Sequence, residues 1–431
     1  VEFTATATTH WVTFLRRSTG TAVVSSITIA EWTPRPTLRT ASFSEVFAFT
    51  ASSTTARSYV GADGLIKNDL AADAPRVDYS SGKARYLFEN QSTNLLLRSA
   101  EFSNASWTPT GLASVNSAAG VSPDGSNNAF SLVEDTGTTA HQLFQSFSST
   151  SGTSYTTSIY VKYVSRQYFS ITYTSAGFGS VQYATFDLLS GTVSGSAVGT
   201  ATIHSVGGGW FRLVYTAPAT ATTATGVIIG LSTAAASRAP IYAGTGASVL
   251  VYGAQVEAQS FATSYIPTGA ATVTRLIETA RFSPLVEAIA FLPGGTIRVQ
   301  AASINPVNGR LVGNRATNDG LIISGGSSGT NRAHIVGLNN ASLTPNAVAG
   351  SGGTDGPIGA VGSYNSSGRA LAFNGGTTVS DTNAAGVNTV LYLARDPAGS
   401  AVYGNGYYNS FALYPFRATN ANVSAIAVAP T

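Results

Sequence analysis

The residues that could do chemistry in this 431-residue chain are few and scattered. Gly325-Gly326-Ser327-Ser328-Gly329 fits Gly-x-Ser-x-Gly, the strand-to-helix turn that presents a serine nucleophile in hydrolases. That turn needs a helix after it, whereas Thr330-Asn331-Arg332-Ala333-His334 reads as another strand. One imidazole beside a serine is also not a positioned triad. Among 45 glycines the match is expected by chance. The four histidines, His10, His141, His204 and His334, fall in separate strands or modules and share no metal-ligand spacing. With no cysteine, thiol catalysis, thiolate ligation and disulfides are excluded. No cofactor is indicated. A loose Ca²⁺ site using Asn318-Asp319 or Asp355 stays open, with ordinary turn residues the plainer reading.

Glycoside hydrolysis needs two carboxylates flanking a cleft, one of them with a raised pKa. The acids noted in the middle of the chain are Glu134, Asp135, Asp187 and Glu257. Glu134 and Asp135 are adjacent, so on a strand they point to opposite faces and make no pair. A depolymerase built as a long β-helix would show regular repeats, and none are present. Sugar binding asks for less: aromatic faces to stack on rings, with amides and hydroxyls beside them. The chain carries 19 Tyr, 20 Phe and 4 Trp among abundant Ser, Thr and Asn. The candidate glycan contacts are Tyr403, Asn405, Tyr407, Tyr408 and Asn409, with packing between subunits an equal account of the same aromatics. Trp107 and Trp210 read as core residues.

Composition sets the elements that must position these groups. Charged residues make up 10% of the chain, far below the roughly 25% of ordinary soluble domains. A formal net charge of +3 without any basic run gives no support to nucleic-acid binding. No apolar run approaches the length of a membrane helix, and no signal peptide opens the chain. The absence of Met suggests that Val1 is not the original start and that sequence upstream is missing.

Short alternating stretches predict strands over Thr156–Tyr163, Tyr168–Tyr173, Ala184–Leu188, Thr200–His204, Trp210–Thr216 and Gly226–Leu231. Turn signals such as Ser190-Gly191 and Gly207-Gly208-Gly209 separate many of them. Asp63-Gly64 is the dipeptide of a tight primed hairpin turn, in which both central residues take positive φ. The expected fold is all-β, with tandem antiparallel β-sandwich (jelly-roll) domains.

Two segments frame the middle of the chain: ARYLFENQSTNLLLRSAEFSNASWT, from Ala84 to Thr108, and VLVYGAQVEAQSFATSYIPT, from Val249 to Thr268. Between them lie the strand-and-turn Asp187–Val193 and the strand Val206–Arg212 with its Gly-Trp-Phe-Arg. Together these resemble carbohydrate-binding-module-like β-sandwich domains of tailed-phage fibre and virion surface proteins. The close Gly404–Arg417, with Tyr-Pro-Phe-Arg, resembles the end of concanavalin/laminin-G-like jelly rolls in such fibres, followed by a short helix over Thr419–Ala427 with Thr419 or Asn420 as N-cap. The implied organisation is residues 1–33 as the last strands of an upstream sandwich, 34–84 as linker and lead-in, 85–282 as the carbohydrate-binding-like sandwich, and 283–431 as the concanavalin-like jelly roll.

The resemblance implies a non-enzymatic structural component of a tail or head fibre or spike, on the virion surface, adhering to host-surface glycans. Implied partners are other virion proteins, host polysaccharide and copies of itself in a homotrimer, with no nucleic acid and no membrane insertion. A purely architectural head or tail attachment protein is the first alternative, and a polysaccharide depolymerase the second.

Overall fold

In the computed structural model, residues 46–51, 56–179, 182–283, 294–303, 312–313, 320–325, 331–336, 342–343, 357–382, 392–393, 406–414 and 417–427 are described. The strands expected at residues 1–33, and Tyr403, Asn405, Asn318, Asp319 and Asp355, lie outside them.

Two six-stranded antiparallel sheets form the centre of the chain. One runs Thr192–Ala197, Tyr183–Asp187, Tyr168–Tyr173, Thr223–Ser232, His141–Ser149, Thr108–Thr110. The other runs Thr200–Gly207, Trp210–Pro218, Ser154–Tyr163, Ser248–Glu257, Phe130–Glu134, Leu112–Asn116. Period-two alternation does the sorting: along His141–Ser149 every second side chain is buried, so Leu143 and Phe147 turn inward. Phe169, Ile171, Phe186 and Leu231 of the first sheet meet Ile159, Val161, Leu213, Tyr215 and Val251 of the second in one apolar core. Trp107 belongs to that core, and Trp210 is buried with Tyr160, Tyr252 and Tyr265 on the other side of the second sheet. The fold is all-β with antiparallel sandwich architecture, as the alternation predicts.

A seven-stranded sheet carries the last part of the chain, in the order Val379–Asp381, Gly368–Phe373, Pro357–Asn365, Gly294–Ser303, Gly406–Tyr414, Arg85–Phe88, Arg76–Asp78. Its final two strands come from far upstream. Tyr86, Leu87 and Phe88 pair with Tyr408, Tyr407 and Gly406. Arg85–Phe88, the start of the segment expected to open the central sandwich, is therefore bonded to the last strand of the chain. Phe47–Thr50 likewise pairs with Thr279–Phe282. Residues from Ser44 to Thr431 form one compact unit.

Asn374 and Gly375 both take positive φ at the start of the five-residue connection between Gly368–Phe373 and Val379–Asp381. Asp63-Gly64 differs from expectation. Only Gly64 has positive φ, and residues 61–65 form a longer loop closed by the Gly61 amide donating to the Leu65 carbonyl at 2.8 Å. The short helix Asn420–Ile426 is present, with Thr419 as its N-cap accepting from the Asn422 amide at 3.4 Å. Val423 seats it against Val361, Ala370 and Ala372.

Candidate functional site

The two framing segments meet in space, and their polar residues close the structure. The Asn94 amide donates to the carbonyls of Ala254 (3.1 Å) and Ile266 (2.8 Å). Its oxygen accepts from the amides of Leu96 (3.1 Å) and Val256 (3.2 Å). Gln255 accepts from the Ile266 amide at 2.6 Å, and Glu257 accepts from Ser92 and Thr263 hydroxyls at 2.5 Å each. All of these side chains are buried. Asn94, Gln255 and Glu257 of the framing segments are thus clasps, each satisfying backbone groups that burial would otherwise leave unpaired.

Beside the clasp lies a buried ionic network. Glu278 receives Arg57 Nε at 2.9 Å and Arg76 Nε at 2.8 Å. Glu89 receives Arg76 Nη1 at 2.7 Å, Arg275 Nη1 at 3.2 Å and the Ser264 amide at 2.7 Å. The five charged residues are at most 3% exposed. Burial pushes the Glu89 carboxyl up, but the Arg275 and Arg76 charges and the Ser264 bonds outweigh it and hold its pKa at about 2. Desolving charges costs several kcal/mol per ion, so the network adds little net stability over an apolar core. Its effect is to tie the lead-in, through Arg76, to Glu89 of the first framing segment and Ser264 of the second.

Next to this network opens a cleft of about 450 Å³, within the range of small-ligand sites. One wall is the lead-in and its strand pair, with Tyr59, Asp78, Ser80 and Arg85. Tyr407, from the chain's last strand, stands beside Arg85. The opposite wall is the outer face of the second sheet, with Tyr160, His204 and Arg212. The Arg85 guanidinium lies 4.5 Å from the centre of the Tyr407 ring, and Ser80 Oγ donates to the Tyr407 hydroxyl at 3.1 Å. Burial lifts the Tyr407 pKa to about 12, so its hydroxyl stays protonated at neutral pH. The Tyr59 hydroxyl donates to Asp69 Oδ1 at 2.9 Å, leaving its half-buried ring at the cleft. His204 is exposed, with Nε2 3.0 Å from Thr202 Oγ1.

The candidate sugar contacts separate. Tyr407 lines the cleft. Tyr408, on the opposite face of the strand, is 4% exposed and packs edge-on against Phe88 at 5.1 Å, so it cannot stack on a ligand. Asn409 is half-buried, and among the described residues its Oδ1 has no hydrogen-bond partner. Tyr59, Asp78, Arg85, His204 and Arg212 were not read as ligand contacts from the sequence, although His204 and Arg212 lie in strands it marks. Tyr59 and Arg85 sit in noted segments, but no spacing marks them as neighbours of Tyr407.

The acids considered for hydrolysis are apart and occupied. Glu134 accepts from Tyr242 Oη (2.7 Å), Thr245 N (2.7 Å), Thr245 Oγ1 (2.8 Å) and Arg166. Burial would raise its pKa, but Tyr242, Arg166 and Thr245 together hold it at about 2. Asp187 accepts from Gln167 and the Leu189 and Ser190 amides, and Glu257 is in the clasp. Asp78 receives the Val60 and Ser80 amides at 2.8 and 2.9 Å. His141 is buried between the Gly111 and Tyr242 carbonyls, at 2.5 and 3.1 Å. Around the Gly-x-Ser-x-Gly stretch, Gly320–Gly325 and Asn331–Val336 pair as antiparallel strands, where a nucleophile elbow would need a helix on the far side.

No family model matches the sequence. No curated protein matches it either. Among solved structures, the chain is similar to the receptor binding domain of botulinum neurotoxin mosaic serotype C/D, at a TM-score of 0.27 and 11% identity over 35% of this chain and 39% of that one. It is similar to the binding domain of botulinum neurotoxin DC in complex with rat synaptotagmin II, at 0.26 and 9% over 35% and 40%. The mouse laminin alpha1 chain, domains LG4-5, scores 0.26 at 12% identity over 76% of this chain and 89% of that one. The chain thus spans less than half the length of the neurotoxin domains it matches. Likeness at this level says nothing of what this chain binds.

Proposed function

We propose that this chain is an adhesive component of a tailed-phage particle, displayed on the virion surface, that grips host polysaccharide in the cleft between Tyr59, Tyr407 and His204 without cleaving it. The observation that carries the reading is the cleft itself: half-buried tyrosine rings on its walls, with Ser80, Asp78 and guanidinium groups between them. Such a surface offers ring stacking and directional hydrogen bonds. The non-catalytic part of the reading is supported by the acids, whose oxygens are taken by backbone amides, hydroxyls and arginines. A homotrimer would repeat a weak cleft and raise its avidity through effective concentration.

Glycan-array binding of the intact chain and two variants tests this. Wild type is expected to retain a subset of bacterial surface glycans. Tyr407→Ala should lose about five- to twelvefold in affinity, the scale of an aromatic stacking contact of roughly 1–1.5 kcal/mol, while Tyr407→Phe, which keeps the ring, should bind nearly as wild type. Silence of the wild type across host-derived polysaccharides would favour a purely architectural role.

A further inference from the structure

We infer that the cleft selects acidic polysaccharide, taking a sugar-borne carboxylate on Arg85 with Arg212 as a second positive charge. This rests on the proposed reading of the cleft as a glycan site and names the class of glycan.

The inference comes from a contrast among the arginines. Each fully buried guanidinium faces a carboxylate: Arg57 and Arg76 on Glu278, Arg275 on Glu89, Arg369 on Asp381. Arg166, also largely buried, faces Glu134. Four half-buried arginines, Arg85, Arg212, Arg298 and Arg417, break the pattern among the described residues, and the first two line the cleft. Arg85 stacks on the Tyr407 ring, and its Nε is buried without a hydrogen-bond partner. Arg212 spends Nη2 on Ser158 Oγ (3.0 Å) and the Thr263 carbonyl (2.6 Å), and its buried Nε is also unpartnered. Among the described residues neither has a carboxylate partner.

The acids beside them are already committed. Asp78 stands directly across the strand pair from Arg85, yet its two oxygens accept the Val60 and Ser80 amides. Glu89 is taken by Arg76, Arg275 and Ser264. A guanidinium partly withdrawn from water, with no carboxylate in direct contact, can take an incoming oxyanion through paired N–H groups, against the opposing charge of the amide-bonded Asp78. Low-dielectric walls strengthen that attraction. The Tyr407 and Tyr59 rings and Ser80 supply the sugar-face and hydroxyl contacts that a free inorganic anion would not use.

Titration calorimetry of the full chain at low salt decides the matter. The ligands are oligosaccharides bearing glucuronate, galacturonate or sialic acid, their carboxyl-reduced counterparts, and sodium sulfate. At least one acidic oligosaccharide is expected to bind ten times or more tighter than its reduced form and than sulfate. Arg85→Gln should erase that preference, and Arg85→Lys should keep part of it. Equal binding of acidic and reduced forms overturns the inference and leaves a neutral-glycan cleft standing. Sulfate binding as tight as the sugars overturns it in favour of a plain anion site. No binding of any sugar overturns both readings. The wild-type ratio alone is decisive if a variant fails to fold.

Discussion

At the scale of single residues, polar groups in this chain mostly hold it together. Glu278 is the clearest case, with two guanidiniums on one buried carboxylate. Glu278→Ala leaves Arg57 and Arg76 short of a counter-charge in the interior and should lower stability by about 3–5 kcal/mol, read as the urea midpoint shift at constant slope. A loss near zero would mean that the network does not join the segments. Glu89 and Glu134 add a pH signature. Both are held near 2 in the fold against an ordinary value of 4.5. A carboxyl lowered by folding contributes stability above its unfolded pKa and loses it as pH falls toward the folded one. The denaturation midpoint should therefore be steady down to about pH 5 and drop steeply between about 4.5 and 2. A flat profile there would contradict the assigned ionic states. Glu257 and Asn94 were visible in the sequence as parts of a signature. Their role was not, because the partners of Asn94 lie 160 and 172 residues away and alternation cannot reveal such pairings.

At the scale of elements, the strands were the legible part. Tyr168–Tyr173 falls where alternation puts it, and Thr156–Tyr163 gains only Ser154 and Tyr155 at its start. Strand partners were less legible. Nothing in Arg85–Phe88 says that it will pair with Gly406–Tyr408, since hydrogen bonding between strands is blind to sequence distance. The cleft inherits this difficulty, because its walls come from elements far apart in the chain. Turns were read through residue type, which misled at Asp63-Gly64, where only Gly64 takes positive φ. A sharper corner sits at Val198-Gly199, where the chain crosses from one sheet of the sandwich to the other in two residues. Gly199 has φ +86°, and a Cβ there would lie 2.0 Å from the Thr216 carbonyl oxygen. Gly199→Ala should therefore cost about 1–3 kcal/mol through backbone strain, more if the carbonyl cannot move. Thermal unfolding checks this, and an unchanged midpoint would show that the corner relaxes freely.

At the scale of the whole molecule, low charge and abundant hydroxyls pointed to surface strands and left the location of a ligand site unread. Folding the lead-in and the last strand into one sheet is what brings Arg85 and Tyr407 together beside the central sandwich. The claim that this assembly grips polysaccharide and leaves it intact can be tested in one sample. Host capsular polysaccharide is incubated for hours with the chain at stoichiometric amounts, and both the bound fraction and the polymer length are measured by size-exclusion chromatography. The expected result is substantial binding, clearly reduced by Tyr407→Ala, with no change in polymer length. Shortening of the polymer, or no binding by the wild-type chain, would contradict it.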